Sequence, residues 1–208
     1  MSKKKEKEEI LFKIITIGDS NVGKTSIIRR YVYNIFEPES LSTIGVSFSF
    51  KEVKLKNGTT VKLRLVDTAG QEKFKSVTKS YYKNTEGVLF VFDYSDVKSF
   101  EDISDWIQNF EDNNNMGNIP RYLLGNKNDL KHNVKEDSIK DFLNKHNGKY
   151  KFESTSALEN INIDKVFQEL AEEMYKKHLT SANKGQSQKK ILNAKNNSKK
   201  GNCICDLQ

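Results

Sequence analysis

The segment Gly18-Asp19-Ser20-Asn21-Val22-Gly23-Lys24-Thr25 stands directly behind the apolar run Leu11 to Ile17, and that juxtaposition restricts what the chain can fold into. It fits G-x-x-x-x-G-K-[ST], the P-loop, in which a buried strand ends in a glycine-rich turn that opens a helix. Gly23 to Tyr33 reads as that helix. The alternative, a tight strand-to-helix turn that binds nothing, needs the same local context and leaves Lys24 and Thr25 unexplained.

The remaining periodicities agree with such a start. Phe48 to Lys56 alternates apolar and polar residues, Asn57-Gly58 supplies a hairpin turn, and Val61, Leu63 and Leu65 resume the alternation, which predicts one antiparallel pair. Val88 to Phe92 and Tyr122 to Leu124 are continuous apolar runs, the pattern of strands buried on both faces. Three helical faces follow: Phe100, Ile103, Trp106, Ile107 and Phe110; Ile139, Phe142 and Leu143; and Val166, Phe167, Leu170, Ala171 and Met174. The predicted fold is α/β, with a six-stranded, mostly parallel sheet, one antiparallel hairpin strand and about five helices on both faces. Ligands in such folds sit at the carboxyl ends of the strands. At 208 residues the chain divides into an N-terminal extension (1–9), one domain (10–179) and a tail (180–208) in which apolar periodicity fades and disorder is expected.

The motif residues carry a consistent chemistry. Backbone N–H groups of the turn formed by Ser20, Asn21, Val22, Gly23, Lys24, Thr25 and Ser26 point at phosphates beside a helix N-terminus, Lys24 reaches the β and γ oxygens, and the Thr25 hydroxyl takes Mg²⁺. Asp67 closes an apolar strand where P-loop proteins put a second magnesium-holding carboxylate, Gly70 offers an N–H to a γ-phosphate, and Gln71 orients the attacking water. Asn126-Lys127-Asn128-Asp129 separates GTP from ATP. The Asp129 carboxylate accepts two hydrogen bonds from guanine that adenine does not offer, and a carboxylate left unpaired there costs on the order of 1–3 kcal/mol. Lys127 and Phe36 are the candidate sandwich for the base. A metabolic P-loop kinase shares Lys24 and Thr25, but it needs an acceptor pocket and a lid for which the chain is short.

Charge and cysteines bear on partners. Of the formal net charge of +7, five units sit in the tail, where six lysines face the single Asp206. A basic arm on a nearly neutral domain suits an anionic surface better than a folded reader of nucleic acid, so no nucleic-acid partner is expected. No run approaches the roughly 18 apolar residues of a membrane span, and the start of the chain lacks the apolar centre of a signal peptide, so a cytosolic protein is expected. Both cysteines, Cys203 and Cys205, lie in the last six residues, where no disulfide or zinc framework can staple the core.

These residues resemble the Rab branch of the Ras-like small GTPases over about Leu11 to His178. Ile44-Gly45-Val46-Ser47-Phe48, Lys62-Leu63-Arg64-Leu65-Val66, Lys73-Phe74-Lys75-Ser76-Val77-Thr78, Tyr81-Tyr82-Lys83-Asn84-Thr85 and Phe90-Val91-Phe92-Asp93-Tyr94-Ser95 look like Rab signatures. The resemblance implies that Thr43 binds Mg²⁺ and senses the γ-phosphate, so that Gln71, Lys24 and Thr43 form the catalytic set and Thr25, Thr43 and Asp67 hold the metal. It also implies that Ser156, Ala157 and Leu158 form a last guanine-binding loop. Four positions depart from the pattern: Leu158 replaces a lysine, Ser40 a tyrosine, Val66 a tryptophan and Ser47 an aspartate. Cys203-Ile204-Cys205 resembles a geranylgeranylation site, while the last four residues also permit a C-a-a-X reading with Gln208 at X.

The same resemblance implies a GTP/GDP switch with slow intrinsic hydrolysis, a monomer acting in membrane traffic. Effectors would read residues 36–50 and 66–82. An exchange factor, a GTPase-activating protein and a prenyl-carrier or GDI-type chaperone are implied with them, on the cytoplasmic face of an endomembrane in exchange with cytosol. A soluble nuclear switch of the Ran type explains the basic charge but has no use for Cys203 and Cys205.

Overall fold

The computed structural model describes residues 9–38, 45–68 and 80–199, with side chains described as far as residue 181. The strands are β1 (Leu11–Ile17), β2 (Val46–Lys54), β3 (Thr60–Thr68), β4 (Gly87–Asp93), β5 (Arg121–Asn126) and β6 (Lys151–Ser154). The helices that lie wholly among the described residues include α1 (Lys24–Tyr33), α2 (Val97–Glu101), α3 (Ile103–Asn113), α4 (Glu136–Lys145) and α5 (Ile163–Lys199). The sheet runs in the order β2-β3-β1-β4-β5-β6. All pairings are parallel except β2 with β3. The expected fold class is therefore the observed one.

The hairpin forms where the Asn57-Gly58 pair predicts it, with a small shift. Gly58 N–H donates to Leu55 O at 2.9 Å and Thr59 N–H to Asn57 Oδ1 at 3.0 Å, while Leu55 N–H donates across to Thr59 O at 2.8 Å and closes the turn. The first strand spans Val46–Lys54 rather than Phe48–Lys56.

All seven residues of β4 are buried, as a continuous apolar run in the middle of a covered sheet must be. On one face, Ile14, Leu63, Leu89 and Leu124 pack with Ile27, Ile28 and Tyr31 of α1 and with Val166, Phe167, Leu170 and Met174 of α5. Tyr31 stacks flat on Phe167 with ring centroids 3.9 Å apart, tying these two helices together. On the other face, Ile15, Ile17, Phe90 and Phe92 pack with Ile103, Trp106, Ile107 and Phe110 of α3 and Ile139 of α4. The chain bends between α2 and α3. Asp96 caps α2 through Lys98 N–H at 3.0 Å, and Asp102 both ends α2 and opens α3.

The fading periodicity predicts disorder from about Thr180; the α5 backbone is helical to Lys199.

Because β1, β3, β4, β5 and β6 run parallel, their carboxyl ends open onto one edge, and β1 lies between β3 and β4, where the direction of winding reverses. Phe90 sits at the centre of the second core, edge-on to Phe110 and Tyr150 at 5.8 and 5.9 Å. Phe90→Ala is expected to lower unfolding stability by about 3–5 kcal/mol in urea titration, since the hole cannot collapse between two layers.

Candidate nucleotide site

The turn after β1 closes under two steric demands. Gly18 has φ +150°, and a Cβ there would stand 2.1 Å from the carbonyl oxygen of Val91; Gly23 has φ +95°, and its Cβ would meet the Asn126 side-chain amide at 2.3 Å. Only glycine fits either place. Gly23 is also the N-cap of α1, so the first N–H groups of that helix open into the turn. Lys24 folds back over it. Its ammonium donates to Gly18 O at 2.9 Å and Asp19 O at 2.6 Å, and burial lowers its pKa to about 8 against the opposing pull of Asp67 and Asp19.

Opposite this turn, the Thr25 hydroxyl donates to Asp67 Oδ2 at 2.7 Å. The other oxygen, Asp67 Oδ1, is buried and has no hydrogen-bond partner. Burial raises the Asp67 carboxyl above its ordinary range, offset in part by Thr25, Lys24 and Arg29. An orphaned carboxylate oxygen beside a hydroxyl is a hard oxygen donor set of the kind magnesium takes.

The far end of the site is built by loops after β5 and β6. Asn126 Nδ2 donates to Val22 O at 2.8 Å, and its Oδ1 accepts from Ala157 N–H and the Thr155 hydroxyl, both at 3.3 Å. Ser156 Oγ donates to Asp129 Oδ1, which fixes that carboxylate. Lys127 adopts φ +60°, and its ammonium pairs with the buried Asp93 at 2.6 Å, while Asp93 Oδ1 accepts from the backbone and hydroxyl of Ser95. A single cavity of about 490 Å³ runs from the turn to this end, lined by Ser20, Asn21, Gly23, Lys24, Thr25 and Ser26, then by Phe36, Asn126, Lys127, Asp129, Ala157 and Leu158.

Similarity to known proteins points the same way. The model of the Ras family matches residues 13–176. The chain is 41% identical over 175 residues to Ras-related protein Rab-10 of Diplobatis ommata, covering 83% of this chain and 86% of that one. It is 36% identical over 199 residues to Ras-related protein Rab-13 of Rattus norvegicus, covering 95% and 96% respectively. It is 39% identical over 173 residues to Ras-related protein RABA2a of Arabidopsis thaliana, covering 82% and 78%.

The chain belongs to the Rab branch of the Ras family. It is a small GTPase that binds GTP and GDP and serves as a switch in vesicle trafficking, with the effectors, exchange factors, activating proteins and GDI that the family works with. Among the described residues, no helix is long and apolar enough to cross a membrane.

Of the residues singled out for this GTPase from sequence, those from Ser20 to Ser26, Phe36, Asp67, Asn126, Lys127, Asp129 and Ser156 to Leu158 converge on the strand edge. Val22 contributes its carbonyl, and its side chain packs in the core. Leu158 stands half exposed at the rim. Thr43, Gly70, Gln71, Cys203 and Cys205 lie outside the described residues. Two partners escape the sequence reading. Asp93 reads there only as part of a strand signature, and Trp106 only as core, although its indole N–H donates to Asp19 Oδ1 at 2.6 Å. An indole N–H is a polar handle that apolar periodicity conceals.

The depressed Lys24 pKa gives a measurable consequence. Free protein at roughly pH 8.5 holds this amine largely neutral, and phosphate binding restores its charge, so GDP binding is expected to take up a proton there and none at roughly pH 6.5, where Lys24 is already protonated. Calorimetric titration in buffers of different ionisation enthalpy checks the sign.

Proposed function

We propose that this Rab-type GTPase holds GTP through the turn Ser20 to Ser26 with Mg²⁺ on Thr25, Thr43 and Asp67, and hydrolyses it slowly with Gln71, Lys24 and Thr43. The observation that carries this reading is the orphaned Asp67 Oδ1, whose carboxylate holds the Thr25 hydroxyl, together with a cavity that runs from Thr25 to Asp129, itself held by Ser156. The spacing suits a nucleotide, phosphates at the turn and base at the far end. Magnesium, once bound, supplies charge neutralisation across the β and γ phosphates. Lys24 offers its ammonium to the same oxygens, replacing the two carbonyls it holds here. Gly70 and Gln71 serve as γ-phosphate sensor and water-orienting group. Phe36 and Lys127 flank the base, Asn126 holds the two loops together, and Ala157 N–H, which here donates to Asn126 Oδ1 at 3.3 Å, turns to the guanine carbonyl. No arginine of this chain is assigned to the transition state, so a partner supplies it, and such a group is worth about 10³–10⁵ in rate.

Binding titrations of nucleotide-free protein with Mg²⁺ test the base assignment. Tight binding of GDP and GTP with ATP ignored is expected, and Asp129→Asn is expected to lose the guanine preference by about 10-fold or more, the equivalent of roughly 1.4 kcal/mol. Equal binding of ATP by the unaltered chain overturns the reading.

The same GTPase is proposed to act as a monomer on the cytoplasmic face of an endomembrane, exchanging with cytosol, held by lipid on Cys203, Cys205 or both and by the lysines before them. Each lysine near an anionic leaflet adds about 1 kcal/mol, and one lipid alone anchors only marginally. Effectors are proposed to read residues 36–50 and 66–82, where Phe48 packs against Tyr81 with ring centroids 5.6 Å apart and Val66, the cross-strand partner of Phe48, is buried. Membrane fractionation of the Cys203→Ser, Cys205→Ser double variant is expected to find the protein moved to the soluble fraction; an unchanged distribution sinks the anchor.

A further inference from the structure

We propose that Trp106 and Asp19 form a strut through which helix α3 positions the phosphate-binding turn, so that α3 controls how long nucleotide is retained. This rests on the nucleotide-switch reading above and adds a positioning pair to it. The indole Nε1–H of Trp106 donates to Asp19 Oδ1 at 2.6 Å across 87 residues of sequence, and Trp106 itself is only 3% exposed, wedged in the core between α3 and the sheet. Asp19 is tied twice. Its side chain is held by α3, and its carbonyl accepts the Lys24 ammonium at 2.6 Å.

The position of Asp19 therefore sets where Lys24 lies. On the opposite side the turn is held by the Asn126 amide on Val22 O, and Gly18 is wedged against Val91 O. Lys24 ties the first half of the turn to α1, and the strut ties it to α3. A neutral donor on a carboxylate makes a short, strong hydrogen bond, and a large flat ring locked in a core gives it a fixed origin. Burial raises the Asp19 carboxyl above its ordinary range, the indole draws it back, and Asp102 at the head of α3 adds a smaller upward push. Removal of the indole donor leaves a partly buried carboxylate near Asp102 with reason to move. A partner that shifts α3 acts on the turn by the same route, without touching nucleotide.

A double-mutant cycle on the full chain tests this, reading release of a fluorescent GDP analogue by stopped flow for Trp106→Phe, Asp19→Ala and the double variant. Each single change is expected to speed release about 10-fold, and the double variant no more than the faster single, because both remove one interaction. Asp19→Asn keeps an acceptor for the indole and is expected to lose much less than Asp19→Ala. A ring that merely fills the core lowers the urea midpoint but leaves release within about twofold, or gives effects that multiply in the double variant; either result overturns the strut, as does equal loss in Asp19→Asn and Asp19→Ala. Should Trp106→Phe fail to fold, the Asp19→Asn and Asp19→Ala comparison decides alone. The chain carries one tryptophan, so its emission reports the same contact. Emission that changes on GDP release in the unaltered chain, and changes less in Asp19→Ala, supports the strut, and emission indifferent to GDP overturns it. Failure of the unaltered chain to bind GDP overturns the switch reading as well, whereas tight GDP binding with an additive cycle overturns the strut alone.

Discussion

One buried amide holds the site together. Asn126 donates to the phosphate turn at Val22 O, accepts from Ala157 and Thr155 in the loop after β6, and leaves room for its own amide only because Gly23 has no Cβ. Three loops from three strands therefore share a single side chain that is 1% exposed. A buried amide with most of its capacity used is expensive to leave unpaired, so the loops are fixed as a group rather than one by one. The two ends of the cavity inherit their separation from this anchor.

Around that anchor the charged groups sit in surroundings that disfavour their charge. Lys24 spends its ammonium on two backbone carbonyls, and Asp67 keeps one oxygen unpartnered. Burial pushes both toward their neutral forms, lysine down and carboxyl up. A phosphate chain and a divalent cation reverse both penalties together. Binding then draws on desolvation already incurred by the fold, which is a physical reason for such a site to retain nucleotide tightly and to need help to release it.

Much of this is legible along the chain, and the misses have identifiable causes. The P-loop, the Asn57-Gly58 hairpin and the apolar runs of β4 and β5 are signals carried by near neighbours, and each appears where expected. The strand β6, Lys-Phe-Glu-Ser, is too short to show alternation, and it forms because β5 offers a parallel edge to pair with. The short α2 begins earlier than the apolar face starting at Phe100, because Asp96 caps it. Beyond Thr180 apolar periodicity fades, while the α5 backbone is helical to Lys199. In the site, Asp129 and Asp67 are legible from their motifs, while the Lys127–Asp93 and Asp19–Trp106 pairs are not.

The turn chemistry, the α/β alternation and the order of the nucleotide motifs are written in the chain, because they depend on residues a few positions apart. Which charges are desolvated, which amide bridges the loops and which helix reaches the phosphate turn arise on folding. Those contacts join residues 87 and 104 positions apart, and their energy depends on burial created by the whole fold rather than on any segment within it.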